Sequence, residues 1–143
     1  MMSAATLSST SNRGSKEGKI ITDNHTLVKE CEVIILAVLP GQAKEVVLDL
    51  KELLQSQKKL LISVVSAVSI KELKEWTGSQ TEVVRIMPNT ASEYGASMTC
   101  IAGEEEQAVN KVKSLFDPLG QTMVIKEQLM PAATILAACG IAF

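Results

Sequence analysis

Aromatic residues are scarce in this chain: one tryptophan, one tyrosine and two phenylalanines among 143 residues. Stacking platforms for single-stranded nucleic acid are therefore missing. Positive charge is not in excess either. The 14 lysines and arginines stand against 16 aspartates and glutamates, interspersed, for a formal net charge of −2. Without a basic face, nucleic-acid binding is not expected. Histidine occurs once, as His25, and the three cysteines, Cys31, Cys100 and Cys139, lie far apart. A zinc site or a disulfide framework needs tighter spacing or histidine partners, so no metal and a reducing, cytoplasmic setting are expected. No uncharged apolar run reaches the ~20 residues of a spanning helix, so no membrane partner is expected. The first ten residues, MMSAATLSST, contain neither lysine nor arginine and no sustained apolar stretch, unlike a secretory signal. A GxGxxG glycine turn, the usual phosphate cradle, occurs nowhere in the chain.

What remains is apolar and aliphatic. Hydrophobic residues make up 46% and charged residues 21%, enough for one packed domain. The pattern alternates between strand and helix periods. Residues 19–22 (KIIT) form a short β-branched run, followed by Asp23-Asn24, which can cap a helix through Glu30. Residues 33–38 (VIILAV) and 60–65 (LLISVV) are continuous apolar runs, the pattern of strands buried on both faces of a parallel sheet. Pro40-Gly41 punctuates the first run, and residues 43–55 then place Val46, Val47, Leu50, Leu53 and Leu54 on one helical stripe. Ser69 with Glu72 has the spacing of a capping box, and Trp76 and Gly78 close that helix.

Residues 82–87 (EVVRIM), 98–102 and 122–125 read as further strands. Between the last two, a helix starts at the acidic Glu104-Glu105-Glu106 and runs to about Leu119, with Val109, Val112, Leu115 and Phe116 inward. Met87, Met98 and Met123 read as core filler, and residues 130–138 as a small-residue apolar helix or turn. Strands alternating with helices imply an α/β fold, a doubly wound, mostly parallel sheet. A short strand near residues 4–10 has no helix before it, and the chain ends as an apolar segment begins, so a piece of a larger protein is expected.

Such a sheet binds its ligand outside the carboxyl ends of its strands. There the sequence places Ser11-Asn12-Arg13, Ala37-Val38-Leu39-Pro40-Gly41, Val64-Val65-Ser66-Ala67 and Met87-Pro88-Asn89-Thr90. These turns are rich in small or polar residues, which let main-chain groups approach a flat ring or a pyrophosphate. Arg13 beside Asn12 suits a ribose 2′-phosphate. The bland alternatives are a solvated Arg13, a plain turn at Pro40-Gly41, and a cap at Asn89.

In order and spacing, the series SNR, TDN, VIILAVLP, LLISVVSAVSIKEL, VVRIMPNTA and ATILAACGIAF resembles pyrroline-5-carboxylate reductase, from about Ser11 to Phe143. The resemblance implies a Rossmann-like fold and NAD(P)H-dependent reduction of 1-pyrroline-5-carboxylate to L-proline, with NADPH, or alternatively NADH, as cofactor. It implies a homo-oligomer for the full-length family member. It assigns Asn12, Arg13 and Asn24 to the adenosine side. Ala37, Val38, Leu39 and Pro40 lie along the cofactor, and Val64, Val65 and Ser66 under the nicotinamide. Asn89, Cys139 and Gly140 fall on the substrate side.

Four departures stand out: Leu39 replaces the family's lysine, Ala67 a glycine, Cys139 a serine and Ile141 a proline. The family's first β-strand, glycine-rich turn and first helix are not in this chain, nor is the helical domain beyond its terminal turn. The division expected is 1–128 as a partial nucleotide-binding domain and 129–143 as the start of the helical one, with little activity from the chain alone. The competing readings are a related F420- or NADP-type reductase with another substrate, and a non-catalytic domain that binds a partner through its sheet edge.

Overall fold

A computed structural model describes residues 20–139, with side chains through Ala137. Helix α1 (Asn24–Glu30) starts where local chemistry places it: the Asp23 carboxylate accepts the N–H groups of His25 and Thr26. The β-branched run at residues 19–22 forms no strand over 20–22. Strand β1 (Val33–Leu36) follows, then α2 (Pro40–Asp49), α3 (Lys51–Ser56), β2 (Leu60–Ser63), α4 (Ile70–Thr77) and β3 (Glu82–Met87). A 3-10 turn, Thr90–Tyr94, leads to β4 (Ser97–Gly103). Then come α5 (Glu106–Phe116), β5 (Gly120–Val124) and α6 (Met130–Ala133), with a π-helical turn at Thr134–Cys139.

The five strands lie in the order β1-β2-β3-β4-β5. All neighbours are parallel except β3 and β4, which run antiparallel. The reversal follows from chain length, because the link from Met87 to Ser97 is a single turn and a parallel return needs a crossover of a dozen or more residues. The mostly parallel α/β sheet read from the sequence is the observed one.

Alternate residues of each strand enter opposite cores. On one face Ile34, Leu36, Leu61, Val83 and Met87 pack under α1 to α4 with Val47, Leu54, Ile70 and Leu73. On the other, Leu60, Ile62, Val84, Ile86 and Ile101 pack against Ala108, Val109 and Val112 of α5. Burial of β2 is complete on both faces, as its apolar run predicts. Strand β1 differs: Val33 and Ile35 are only half-buried, since α5 lies over β3, β4 and β5 rather than over β1.

Other boundaries move for identifiable reasons. Pro40 does not end an element but opens α2, where a missing N–H and a fixed φ are harmless. The helix expected over 43–55 is broken at Leu50 (φ −94°, ψ −1°), although Val46, Val47, Leu50 and Leu54 are buried as the stripe predicts. Helix α5 begins at Glu106, because Glu104 and Glu105 turn instead to the Lys74 ammonium, at 2.6 and 2.9 Å. It ends at Phe116, and Leu115 faces solvent rather than the core. Met123 is 51% exposed, not core filler, because β5 is an outer strand of the described sheet. The strand expected near residues 4–10 lies outside the described residues.

Candidate functional site

In the sheet register Leu36 stands beside Ser63, and Ser63 beside Arg85, all three strands running the same way. The chain therefore leaves β1, β2 and β3 at a single edge, which gathers the 37–40, 64–67 and 88–89 turns there. Main-chain bonding stitches the first two together: Val64 N–H donates to the Leu36 carbonyl (3.1 Å). Within the second turn Val65 N–H donates to the buried Ser63 hydroxyl (3.2 Å). Val65 itself is buried in the core, and Val64 packs partly into the opposite core. Only their main-chain atoms can serve a ligand. Ser66 is half-buried, and Ala67 is exposed with φ +60°, in the left-handed region that disfavours a β-carbon.

In the first turn Ala37, Leu39 and Pro40 are exposed while Val38 rests against the core. The lysine-to-leucine departure thus puts a bare apolar side chain, 70% exposed, at the mouth of this edge. The third turn is tied down by Asn89. Its Oδ1 accepts from Ala91 N–H (3.1 Å), capping the 3-10 turn, and its own N–H points at the Ser97 hydroxyl (3.4 Å). The cap reading of Asn89 is therefore realised, with its side chain half-buried. Ser97 and Thr99, both buried, bond to each other at 3.0 Å.

Ser69 ends the second turn and opens α4. Its hydroxyl donates to a Glu72 carboxylate oxygen (2.7 Å) and accepts from Glu72 N–H (3.2 Å), while Ser69 N–H donates to the same carboxylate (2.8 Å). The capping box is complete. The Ser69 hydroxyl first, then its N–H, hold the Glu72 carboxyl below the ordinary glutamate range.

Asn24 is the first residue of α1, next to His25. The His25 ring bonds to Asp49 at 2.9 Å. Asn12, Arg13 and Gly140 lie outside the described residues, and Cys139 is the last residue of the π-helical turn, its side chain not described. Cys31 and Cys100 are free thiols; burial pushes the Cys100 thiol up. Among the described residues no three His, Cys, Asp or Glu side chains converge as a metal site. No described helix is long and apolar enough to cross a membrane.

One polar contact was not anticipated. Arg85 sits in the middle of β3 on the Val83 and Met87 face, nearly buried, and pairs with Glu127 at 3.1 Å. A charged residue inside EVVRIM at an inward register was the signal available in the sequence.

The edge offers small residues, main-chain groups and few side chains capable of acid–base work. Such a surface can seat and orient a planar group, with the chemistry carried by that group.

Residues 3–67 match a family model described as NADP oxidoreductase, coenzyme F420-dependent. Pyrroline-5-carboxylate reductase 1 of Dictyostelium discoideum is 33% identical over 138 residues, covering 87% of this chain and 25% of that protein. The pyrroline-5-carboxylate reductase of Pisum sativum is 33% identical over 127 residues, covering 87% of this chain and 46% of the relative. The solved structure of the Plasmodium falciparum pyrroline carboxylate reductase with NADP bound has a TM-score of 0.79 to this fold. It shows 32% identity and covers 85% of this chain and 47% of that one. This chain spans from a quarter to about half the length of these relatives. Over that span it is a homologue of the pyrroline-5-carboxylate reductases and shares their α/β fold.

Proposed function

We propose that this chain forms the nicotinamide-nucleotide side of a reductase that converts 1-pyrroline-5-carboxylate to L-proline, with NADPH as the preferred cofactor and NADH as the second. The observation that carries this reading is the register of β1, β2 and β3, which gathers the three family-like turns at one edge. The turns suit a dinucleotide: their valines are turned into the cores, so that main-chain groups and small side chains face outward. When bound, the nicotinamide supplies a hydride to the imine carbon, and the imine nitrogen takes up a proton from solvent or a donor group.

The chain's own part is to bind and orient. Main-chain groups of Ala37, Val38, Leu39 and Pro40 run along the cofactor, and those of Val64, Val65 and Ser66 support the ring. Leu39 contributes apolar surface where a charge contact is lost. Asn12 and Arg13 hold the 2′-phosphate, Asn24 the adenosine side, and Asn89, Cys139 and Gly140 the substrate side. Residues 1–128 would belong to the nucleotide-binding unit and 129–143 to the entry of a helical unit, in a homo-oligomer. The free thiols Cys31 and Cys100 accord with a reducing, cytoplasmic compartment.

The test is nucleotide selectivity. Arg13→Ala should weaken NADPH far more than NADH, by roughly tenfold or more for a lost charge-assisted contact of ~1.5–3 kcal/mol. Equal losses for both nucleotides would remove the 2′-phosphate assignment, and a complete protein that binds neither nucleotide would remove the whole reading. A second reading, an F420- or NADP-type reductase with another substrate, is favoured by the family model over residues 3–67. A substrate screen on the complete protein separates the two.

A further inference from the structure

We infer that Glu127 is a positioning residue, which holds the 64–69 turn in register with the segment entering α6 by sharing one carboxylate oxygen between two donors. Its Oε1 accepts from Ile70 N–H at 2.6 Å and from Arg85 Nη1 at 3.1 Å. The three residues come from three elements. Ile70 is the first residue after the turn and its Ser69 cap. Arg85 lies on β3, two residues before the strand ends. Glu127 belongs to the 3-10 turn Glu127–Leu129, directly ahead of α6, whose Met130 and Ala133 are buried in the larger core.

Within α4, the capping box satisfies Ser69 N–H and Glu72 N–H. Ile70 is 2% exposed and its first-turn amide has no acceptor within the helix, so it takes Glu127 instead. What the long-range bond adds is a link, across 57 residues of chain, between the candidate nicotinamide turn and the approach to α6. Arg85 makes that link directional. Its side chain is 8% exposed, so its charge has little access to water and depends on Glu127, with Glu72 as the other carboxylate acting on it. Within this part-buried pair, with Arg85 the buried partner, a displacement of Glu127 leaves the guanidinium charge without its counter-charge. A shift at either end of the clasp is therefore passed to the other.

The mechanical part of this inference is independent of the nucleotide reading above; only its effect on binding rests on that reading. Amide hydrogen exchange on the whole chain tests it, with Glu127→Ala, which removes both bonds, and Glu127→Gln, which keeps an acceptor for Ile70 but loses the charge facing Arg85. Amides of Val64, Val65, Ser69 and Ile70 are all hydrogen-bonded, as is that of Thr134 at the end of α6, so each reports local opening. The expected result for Glu127→Ala is exchange about tenfold faster in both the 64–70 and 130–137 segments, with Val109 and Val112 of α5 unchanged. Glu127→Gln should accelerate the same two segments by a smaller factor, and it decides the matter if the alanine variant does not fold. Acceleration confined to Ile70, or equal acceleration in α5, would overturn the inference as a mere local bond or a general loss of stability. In parallel, NADPH titration of the complete protein should show several-fold weaker binding in Glu127→Gln. Unchanged binding with both segments accelerated would overturn the functional role, and a complete wild-type protein that ignores NADPH would end the nucleotide reading while exchange on the chain still judges the clasp.

Discussion

Ala67 holds a backbone conformation that its side chain disfavours, and replacing it with glycine should stabilise the protein. Its φ is +60°, at the point where the 64–67 turn leaves the sheet. For an L-residue with a β-carbon the left-handed region is less favourable than the right-handed one by about 1–2 kcal/mol. Glycine avoids that cost but gives back about 0.5–1 kcal/mol through its greater freedom in the unfolded chain. The net expectation for Ala67→Gly is a gain of about 0.5–1 kcal/mol, with little apolar burial lost because the residue is exposed. For a chain of this size that corresponds to a rise in Tm of roughly 2–4 °C.

Lys58 provides the control, being exposed with φ +47° in the turn before β2, at the other end of the strand from the candidate site. Lys58→Gly should raise Tm by a similar amount. Only Ala67→Gly should also tighten NADPH, because the missing methyl lets the main chain of the turn approach the ring. Calorimetric unfolding of the three proteins, with nucleotide titration of each, measures both effects. A fall in Tm for Ala67→Gly alongside a rise for Lys58→Gly would refute the strain argument at this site.

Ser69→Ala should cost about 1 kcal/mol as a lost cap, measured by urea unfolding at neutral pH. It should also change the acid limb. The native Glu72 carboxyl is depressed by Ser69, so its contribution is present above the ordinary value of 4.5 and is lost as pH falls through the depressed native value. Asp23 and Asp117 are depressed likewise and act with the same sign. A plot of Tm against pH should therefore fall less steeply below about pH 4.5 in Ser69→Ala than in the wild type, and parallel curves would contradict the capping-box assignment. Gly120→Ala should lose at least about 2 kcal/mol in a urea titration. Its φ is +143° and a β-carbon would lie 2.2 Å from the Ser97 carbonyl oxygen, main chain that cannot rotate away. An unchanged urea midpoint would mean that β5 does not hold this register against β4.

Features that depend on neighbouring residues were open to reading in the sequence itself. Asp23 and Ser69 cap their helices because a short acceptor side chain meets unpaired N–H groups one turn ahead, whatever the rest of the fold does. Runs such as LLISVV and EVVRIM announce strands because they bury nearly all their side chains in succession, Glu82 and Val64 being the exceptions. The shared edge of the 37–40, 64–67 and 88–89 turns follows from strands joined through helices, which must run parallel.

Other features needed the packed molecule. Whether Val33, Ile35 and Met123 are covered depends on where α5 lies and which strands are outermost, and neither is encoded near those residues. The break at Leu50 lets α2 and α3 each lay an apolar face on the same core, a compromise with partners far along the chain. The Arg85–Glu127 pair joins residues 42 apart, and the Glu127 bond to Ile70 joins residues 57 apart. Contacts of that range have no period or spacing to betray them. They exist because the folded sheet brings a buried charge and a carboxylate together, and the cost of leaving that charge unpaired then decides where both must stay.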